Sequence, residues 1–269
     1  MTYAEADIIA TVERLTGTSL SALSRAQLDG IDQFHAGGPE AIERLIPHLA
    51  LTPGSTVLDV GSGLGGPARQ VARTAGCRVI GVDITPAYVA AAQALSDAAG
   101  LSERTRFVHS DIGEFGRTDV GESVHSGFDA AYTVHVQMNI ADKKVFYAEI
   151  ARLLRPGARL AVFEVARGVG DEPALPLPWS LDGTDSHLVT ADELRDTIRS
   201  SGFTPVEWAD ESAWTRRWFD DLGRELLAGA VPATLPALLA DGPTRMLNYA
   251  AAVATGAVTV QRGVFTAGV

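Results

Sequence analysis

Hydrophobic and polar positions fall into three regimes along the chain. In residues 1 to about 50 the apolar positions recur at helical spacing. Ile8, Ile9, Val12 and Leu15 make one face, and Leu45, Ile46 and Leu49 continue it after a break at Gly37-Gly38-Pro39. From 55 to about 167, short β-branched runs alternate with longer Ala- and Leu-rich stretches. The runs predict strands at Thr56–Val60, Arg78–Val82, Thr105–His109, Phe128–Val134 and Arg159–Val165. Between them, Gly66–Ala75, Pro86–Ala99 and Asp142–Leu154 predict helices. Strands alternating with helices imply βαβ units, hence a doubly wound α/β fold on a mostly parallel sheet.

Local signals agree with that division. Pro86 suits the first turn of a helix, with Thr85 as its expected N-cap. Arg155-Pro156-Gly157 stops the helix before the fifth strand. From Gly168 to Thr190 the pattern dissolves into Pro and Gly, as in a lid or binding loop. Thr190-Ala-Asp-Glu then reads as a capping box opening a helix to Ser200, followed by a strand at Thr204–Ala209. Helical stretches fill most of the tail, and Ala257–Thr266 alternates like a last strand. The expected organisation is an N-terminal helical lid over 1–50 and a core over 51–269. Cap insertions are expected at about 168–190 and 212–255.

Composition narrows the function. The 269 residues include 22 Lys plus Arg and 33 Asp plus Glu, a net charge of −11. Such a chain repels polyanions, which sets aside nucleic acid and anionic membranes as extended partners. The one cysteine, Cys77, excludes an internal disulfide and a thiolate zinc site. Met1–Leu15 carries Glu5, Asp7 and Glu13 and lacks the basic start of a signal peptide. No run of ~18 apolar residues can span a bilayer. A reducing cytoplasm is therefore the expected setting, and the nearly uncharged Gly229–Leu239 stretch is a candidate homo-oligomer interface or cap.

The informative stretch is Val57–Gly66, VLDVGSGLGG. A buried strand runs into a glycine turn and then a helix, where free N–H groups favour a phosphate or carboxylate. Gly61, Gly63 and Gly66 fit the dinucleotide pattern; Gly61, Gly63 and Gly65 fit the related GxGxG spacing. Asp83 ends the second strand about 20 residues after the glycines, where a carboxylate can hold ribose hydroxyls. Asp111 follows the third strand, and Asp59 lies two residues before the first glycine. Ligands of open α/β sheets bind at these C-terminal edges.

The segments LDVGSGLGG, GVDIT, HSDI, FDAAYTVHVQMNI and LLRPGARLAVFEV resemble class I methyltransferases that use S-adenosylmethionine. The likeness spans roughly residues 30 to 210. Asp32–Gly38, Gly63–Arg69 and His135–Lys143 are most similar to bacterial small-molecule members, among them the sarcosine/dimethylglycine N-methyltransferases. The resemblance implies a Rossmann-like sheet with an antiparallel last strand, and S-adenosylhomocysteine as product. It implies that Gly61, Gly63 and Gly65 face the methionine part and that Asp59 lies near its amino group. Asp83 would hold the ribose, Ile84 would pack on the adenine, Asp111 would face the adenine amino group, and Ile112 would lie beside it. The backbone near Thr133–His135 would also face the methionine part.

His135 is the candidate general base, since it follows the fourth strand and histidine titrates near neutrality; a structural histidine is the alternative. Gln137 and Asn139 are candidates to orient substrate, with helix capping the alternative for Asn139. Glu164, at the end of the fifth strand, can reach substrate or bond a neighbouring loop. Trp179 and His187, with Asp182, Asp185, Trp208, Trp214 and Trp218, supply rings and carboxylates suited to an amine. Phe34 and His35 are expected near the cofactor's mouth. Dispersed histidines and the lack of a carboxylate in Thr133–Ile140 predict no metal. The leading expectation is methyl transfer to an amine or hydroxyl of a small molecule. A nicotinamide oxidoreductase and a non-catalytic S-adenosylmethionine-binding protein are the alternatives.

Overall fold

The computed structural model describes residues 8–24, 27–28, 31–33, 35–117, 127–228 and 239–268. Within them the strands are β1 (Thr56–Val60), β2 (Arg78–Asp83), β3 (Thr105–His109), β4 (Phe128–Val134), β5 (Leu154–Arg167), β6 (Phe203–Asp210) and β7 (Val258–Ala267). The helices are α1 (Ile8–Thr16), α2 (Gly38–Leu45), α3 (Gly66–Ala75), α4 (Pro86–Ala98), α5 (Lys143–Leu153), α6 (Ala191–Ser200), α7 (Ser212–Leu227) and α8 (Gly242–Thr255). The seven strands form one sheet in the order β3-β2-β1-β4-β5-β7-β6. β7 pairs antiparallel with β5 and with β6, and the other pairings are parallel.

The two faces of the sheet follow the period-2 alternation of strands. Val57, Val79, Ala130, Tyr132, Ala161 and Phe163 face one core layer, against α2, α3 and α8. Leu58, Val60, Ile80, Val82, Ala131, Leu160 and Val162 face the other, against α5 and α6. A third cluster joins Ile8 and Val12 of α1 to Leu28, Ile31 and Leu64, and to Tyr88, Ala91 and Leu95 of α4. The N-terminal segment therefore sits over the glycine turn rather than beside the sheet.

Several local expectations change. β5 begins at Leu154 rather than Arg159, because Phe128 pairs with Leu154 across a register shift, and Arg155-Pro156-Gly157 is carried within the strand. Thr85 does not cap α4 with its side chain. Its N–H donates instead to Asp83 Oδ1 at 2.8 Å. Asn139 does not cap α5; Asp142 does, accepting from the Val145 N–H at 3.0 Å. The Thr190 capping box is present, with Glu193 bonding back to the Thr190 N–H. Phe34 and residues 229–238 lie outside the described residues, so the interface expectation on that stretch has no structural counterpart.

Candidate functional site

Between β1 and β4 the strand order reverses, which opens a crevice at the C-terminal ends of the strands. The glycine turn lines one side of it and the turn after β4 the other. Gly61, Gly63 and Gly65 all adopt positive φ, at 76°, 52° and 75°. A Cβ on Gly61 would stand 2.5 Å from Val136 Cγ2, and one on Gly65 would collide with Phe107 Cζ. These two glycines are required by close packing. At Gly63 a Cβ would meet nothing within 4 Å, so its main chain faces open space.

Two acids stand close to that opening, and a third follows β3 further along the sheet edge. Asp83 Oδ2 accepts the Gly63 N–H at 2.9 Å, which ties the tip of the turn to the end of β2. Asp59 is buried beside Tyr132, its register partner across β1 and β4, and its Oδ2 has no hydrogen-bond partner among the described residues. Burial lifts the Asp59 carboxyl to about 7; the Asp83 charge adds to the rise and the Tyr132 hydroxyl opposes it. Asp111 is exposed beyond β3, with Oδ1 accepting the Gly113 N–H at 2.7 Å. Ile84 projects at the end of β2 with 67% of its surface exposed, whereas Ile112 is buried in the core. An orphaned buried carboxylate oxygen, an open glycine face and an uncovered apolar side chain together fit an adenosyl amino acid. In that fit Asp59 could meet the amino group, Asp83 the ribose and Ile84 the adenine.

Across the crevice, His135 is buried and holds φ at 55°. Its ring stacks on Phe163 at 5.6 Å between centroids. Nδ1 lies 3.1 Å from the Phe163 carbonyl and Nε2 2.9 Å from the Tyr249 hydroxyl. A carbonyl only accepts, so Nδ1 carries the proton and Nε2 accepts from Tyr249. Burial, reinforced by His35 with its ring 5.9 Å away, pushes His135 down to about 3. His35 is itself lowered to about 4 by burial. Both rings are neutral at pH 7. Tyr249, on α8, is invisible in the sequence as a site residue because its partner is 114 positions away. The only signal for it is an aromatic in an expected cap.

The other candidates divide. Gln137 is buried, donates to the Val165 carbonyl and keeps Oε1 without a partner. Asn139 Nδ2 donates to the Val136 carbonyl at 3.3 Å. Glu164 is buried, and its oxygens accept from Thr133 Oγ1, Val136 N and Gln137 N. Trp179 is buried edge-on against Tyr249 and donates its indole N–H to Ser186 at 3.0 Å. His187 bonds through its backbone to the Met138 carbonyl and to Lys143 Nζ. These contacts fasten the 168–190 insertion onto the turn after β4. Trp214 meets Phe163 edge-on, and Trp218 lines a cleft of about 630 Å³ with Trp214, Glu40 and Arg217. Trp208 packs against Phe265, away from this wall of rings. Among the described residues no three His, Cys, Asp or Glu side chains converge as metal ligands. No described helix is long and apolar enough to cross a membrane.

Comparison with known proteins shows what this geometry resembles. Residues 57–157 match the methyltransferase domain model. A sterol 24-C-methyltransferase of Gibberella zeae is 33% identical over 120 residues, 45% of this chain and 30% of that protein. The chain thus spans about a third of the length of such relatives. In structure, the [4+2]-cyclase SpnF superposes with a TM-score of 0.68 at 23% identity, over 97% of this chain and 92% of that one. A phosphoethanolamine N-methyltransferase of Haemonchus contortus, in complex with S-adenosylhomocysteine, gives 0.71 at 17% identity, over 97% of this chain and 57% of that one. Residues 57–157 thus resemble a methyltransferase domain, and the structural neighbours share the chain's Rossmann-like fold.

Proposed function

We propose that this protein transfers a methyl group from S-adenosylmethionine to a hydroxyl or amine of a small molecule in the cytoplasm. The observation that carries the reading is the crevice itself. The open Gly63 face lies by Asp59 and Asp83 on one side, and the paired His135 and Tyr249 stand on the other. When bound, S-adenosylmethionine supplies an electrophilic methyl group on a sulfonium centre. The chain's task is to hold a nucleophile in line with it, and such positioning is worth roughly 7–11 kcal/mol.

His135 and Tyr249 handle the proton in this reading. The Phe163 carbonyl fixes Nδ1–H, and burial keeps the ring neutral, so Nε2 remains an acceptor. Tyr249 donates to that nitrogen and keeps oxygen lone pairs for an acceptor O–H or N–H. The acceptor's proton passes to the Tyr249 oxygen as the Tyr249 proton passes to His135. Gln137 and Asn139, on the same turn, would orient the polar end of the acceptor. Trp179 and His187 would act by shaping the insertion over it.

Calorimetry with S-adenosylhomocysteine and with NAD(H), followed by transfer assays on a panel of hydroxyl and amine acceptors, tests the reading. S-adenosylhomocysteine binding with a methylated product supports it. NAD(H) binding alone defeats it, and cofactor binding without any product favours a non-catalytic protein. The similarity to a cyclase adds one control: each acceptor is also followed for a rearranged product of unchanged mass.

A further inference from the structure

We propose that Glu164 is a positioning residue: it clamps the turn after β4 through hydrogen bonds that need no charge, and touches neither methyl acceptor nor cofactor. The inference rests on the methyl-transfer reading only for its kinetic arm. At the end of β5, Glu164 is fully buried, and both of its oxygens are engaged by the chain. Oε1 accepts the Thr133 hydroxyl at 2.6 Å. Oε2 accepts two successive backbone N–H groups, from Val136 at 2.9 Å and Gln137 at 3.2 Å.

Those two N–H groups follow immediately after His135, the residue held at φ 55°. A left-handed residue followed by one near the right-handed region turns successive N–H groups to one side, forming a concavity that takes a negative or polar oxygen. Here the oxygen comes from the neighbouring strand of the same chain. The turn has two outputs. His135 meets Tyr249, and the Val136 side chain rests where any Cβ on Gly61 would collide with it, 2.5 Å away. A single side chain therefore sets the proton-handling pair and one wall of the glycine turn together.

Charge is not what the clamp needs. Burial lifts the Glu164 carboxyl to about 7, with the three donors and Lys143 opposing the rise. A neutral carboxyl can turn its O–H to Thr133 Oγ1 and still accept both N–H groups through the other oxygen. A glutamine can do the same, with its amide N–H₂ toward Thr133 and its carbonyl toward the turn. An aspartate keeps the charge but is one methylene too short to span both sides. This ordering separates the clamp from a base or substrate-binding carboxylate, for which aspartate preserves the chemistry and glutamine removes it.

The test compares E164Q, E164D and E164A with wild type by hydrogen–deuterium exchange at the Val136 and Gln137 amides, S-adenosylhomocysteine calorimetry and turnover at saturating cofactor. E164Q is expected to keep amide protection, affinity and turnover within about threefold of wild type. E164D and E164A are expected to lose at least tenfold in amide protection and turnover and a few-fold in affinity. Should E164A fail to fold, the contrast between E164Q and E164D decides. Unchanged protection in folded E164D overturns the clamp, and so does an E164Q enzyme with intact protection and lost turnover. If no acceptor is ever methylated, exchange and calorimetry still decide the clamp, so the two readings fail separately.

Discussion

At the scale of single residues, the three turn glycines are not equivalent. Alanine at Gly61 must displace Val136, and alanine at Gly65 must displace Phe107. Alanine at Gly63 costs only the left-handed backbone, about 1–2 kcal/mol, because its Cβ meets open space. That open space is where a ligand belongs. We therefore expect Gly63→Ala to fold with a modestly lowered Tm and to bind S-adenosylhomocysteine at least tenfold more weakly. Gly61→Ala should lose more stability than Gly63→Ala. A Gly63→Ala protein with wild-type affinity would show that the open face is not the cofactor's. A second expectation concerns the ring pair. Tyr249→Phe removes the only donor to His135 Nε2 among the described residues and should lower turnover by ~10²-fold or more. S-adenosylhomocysteine affinity should not move, so equal losses in both measurements would assign Tyr249 to cofactor binding instead. The placement of the three carboxylates at strand ends and of the glycines in the turn is legible in the sequence because both are local. Tyr249 and the role of Glu164 are not, because each depends on a partner across the sheet. His135 is visible as a residue, but its neutrality and its left-handed backbone are consequences of burial.

At the scale of elements, the Asp32–Gly38 and Gly63–Arg69 segments stand apart in the sequence, and the structure shows that they are one device. Arg69 on α3 lies buried with its guanidinium 2.6 Å from Asp32, and it also bonds the carbonyls of Leu64 and Ala92 and the Ser96 hydroxyl. It locks the N-terminal segment, the glycine turn and α4 together. Gly66 completes the fit, since a Cβ there would collide with the Asp32 carbonyl. Removing one partner of a buried pair strands the other, at a cost of typically 3–5 kcal/mol. Arg69→Met should therefore lower stability to urea by about that amount. The double variant Asp32→Leu, Arg69→Met should recover part of the loss, since the pair's desolvation goes with it. Additive losses would mean that the two residues act independently. Within the stretch expected as a lid, Asp32 is fastened to the core, and among the described residues α1 clusters with Leu28, Ile31, Leu64 and α4. Helix ends depart from expectation where a side chain competes for the cap. Thr85 makes no side-chain cap bond while its own N–H donates to Asp83, and Asp142 lies closer to α5 than Asn139 does.

At the scale of the whole molecule, four fully buried titratable groups pull the pH dependence of stability in opposite directions. Asp59 and Glu164 are both raised to about 7, so between their unfolded values and 7 the folded chain binds more protons than the unfolded one. Their contribution is present at low pH and is lost as pH rises through 7. His35 and His135 are lowered to about 4 and about 3, so below 6.5 the folded chain binds fewer protons. Their contribution is present above 6.5 and is lost as pH falls. The two pairs oppose each other between about 4.5 and 6.5, and the apo protein should show a flat Tm there, falling on either side. The cofactor's amino group changes the balance at one of these groups. An ammonium beside Asp59 Oδ2, the buried oxygen without a partner, favours the carboxylate and draws its pKa back down. Binding at pH 6.5 should then release up to about one proton from Asp59. Calorimetry of S-adenosylhomocysteine in two buffers of different ionisation enthalpy reads this directly, as a difference in apparent binding heat. Asp59→Asn should abolish the difference, while Glu164→Gln should leave it. Identical heats in the two buffers for wild type would mean that Asp59 does not meet the amino group, and the orphaned oxygen would need another partner.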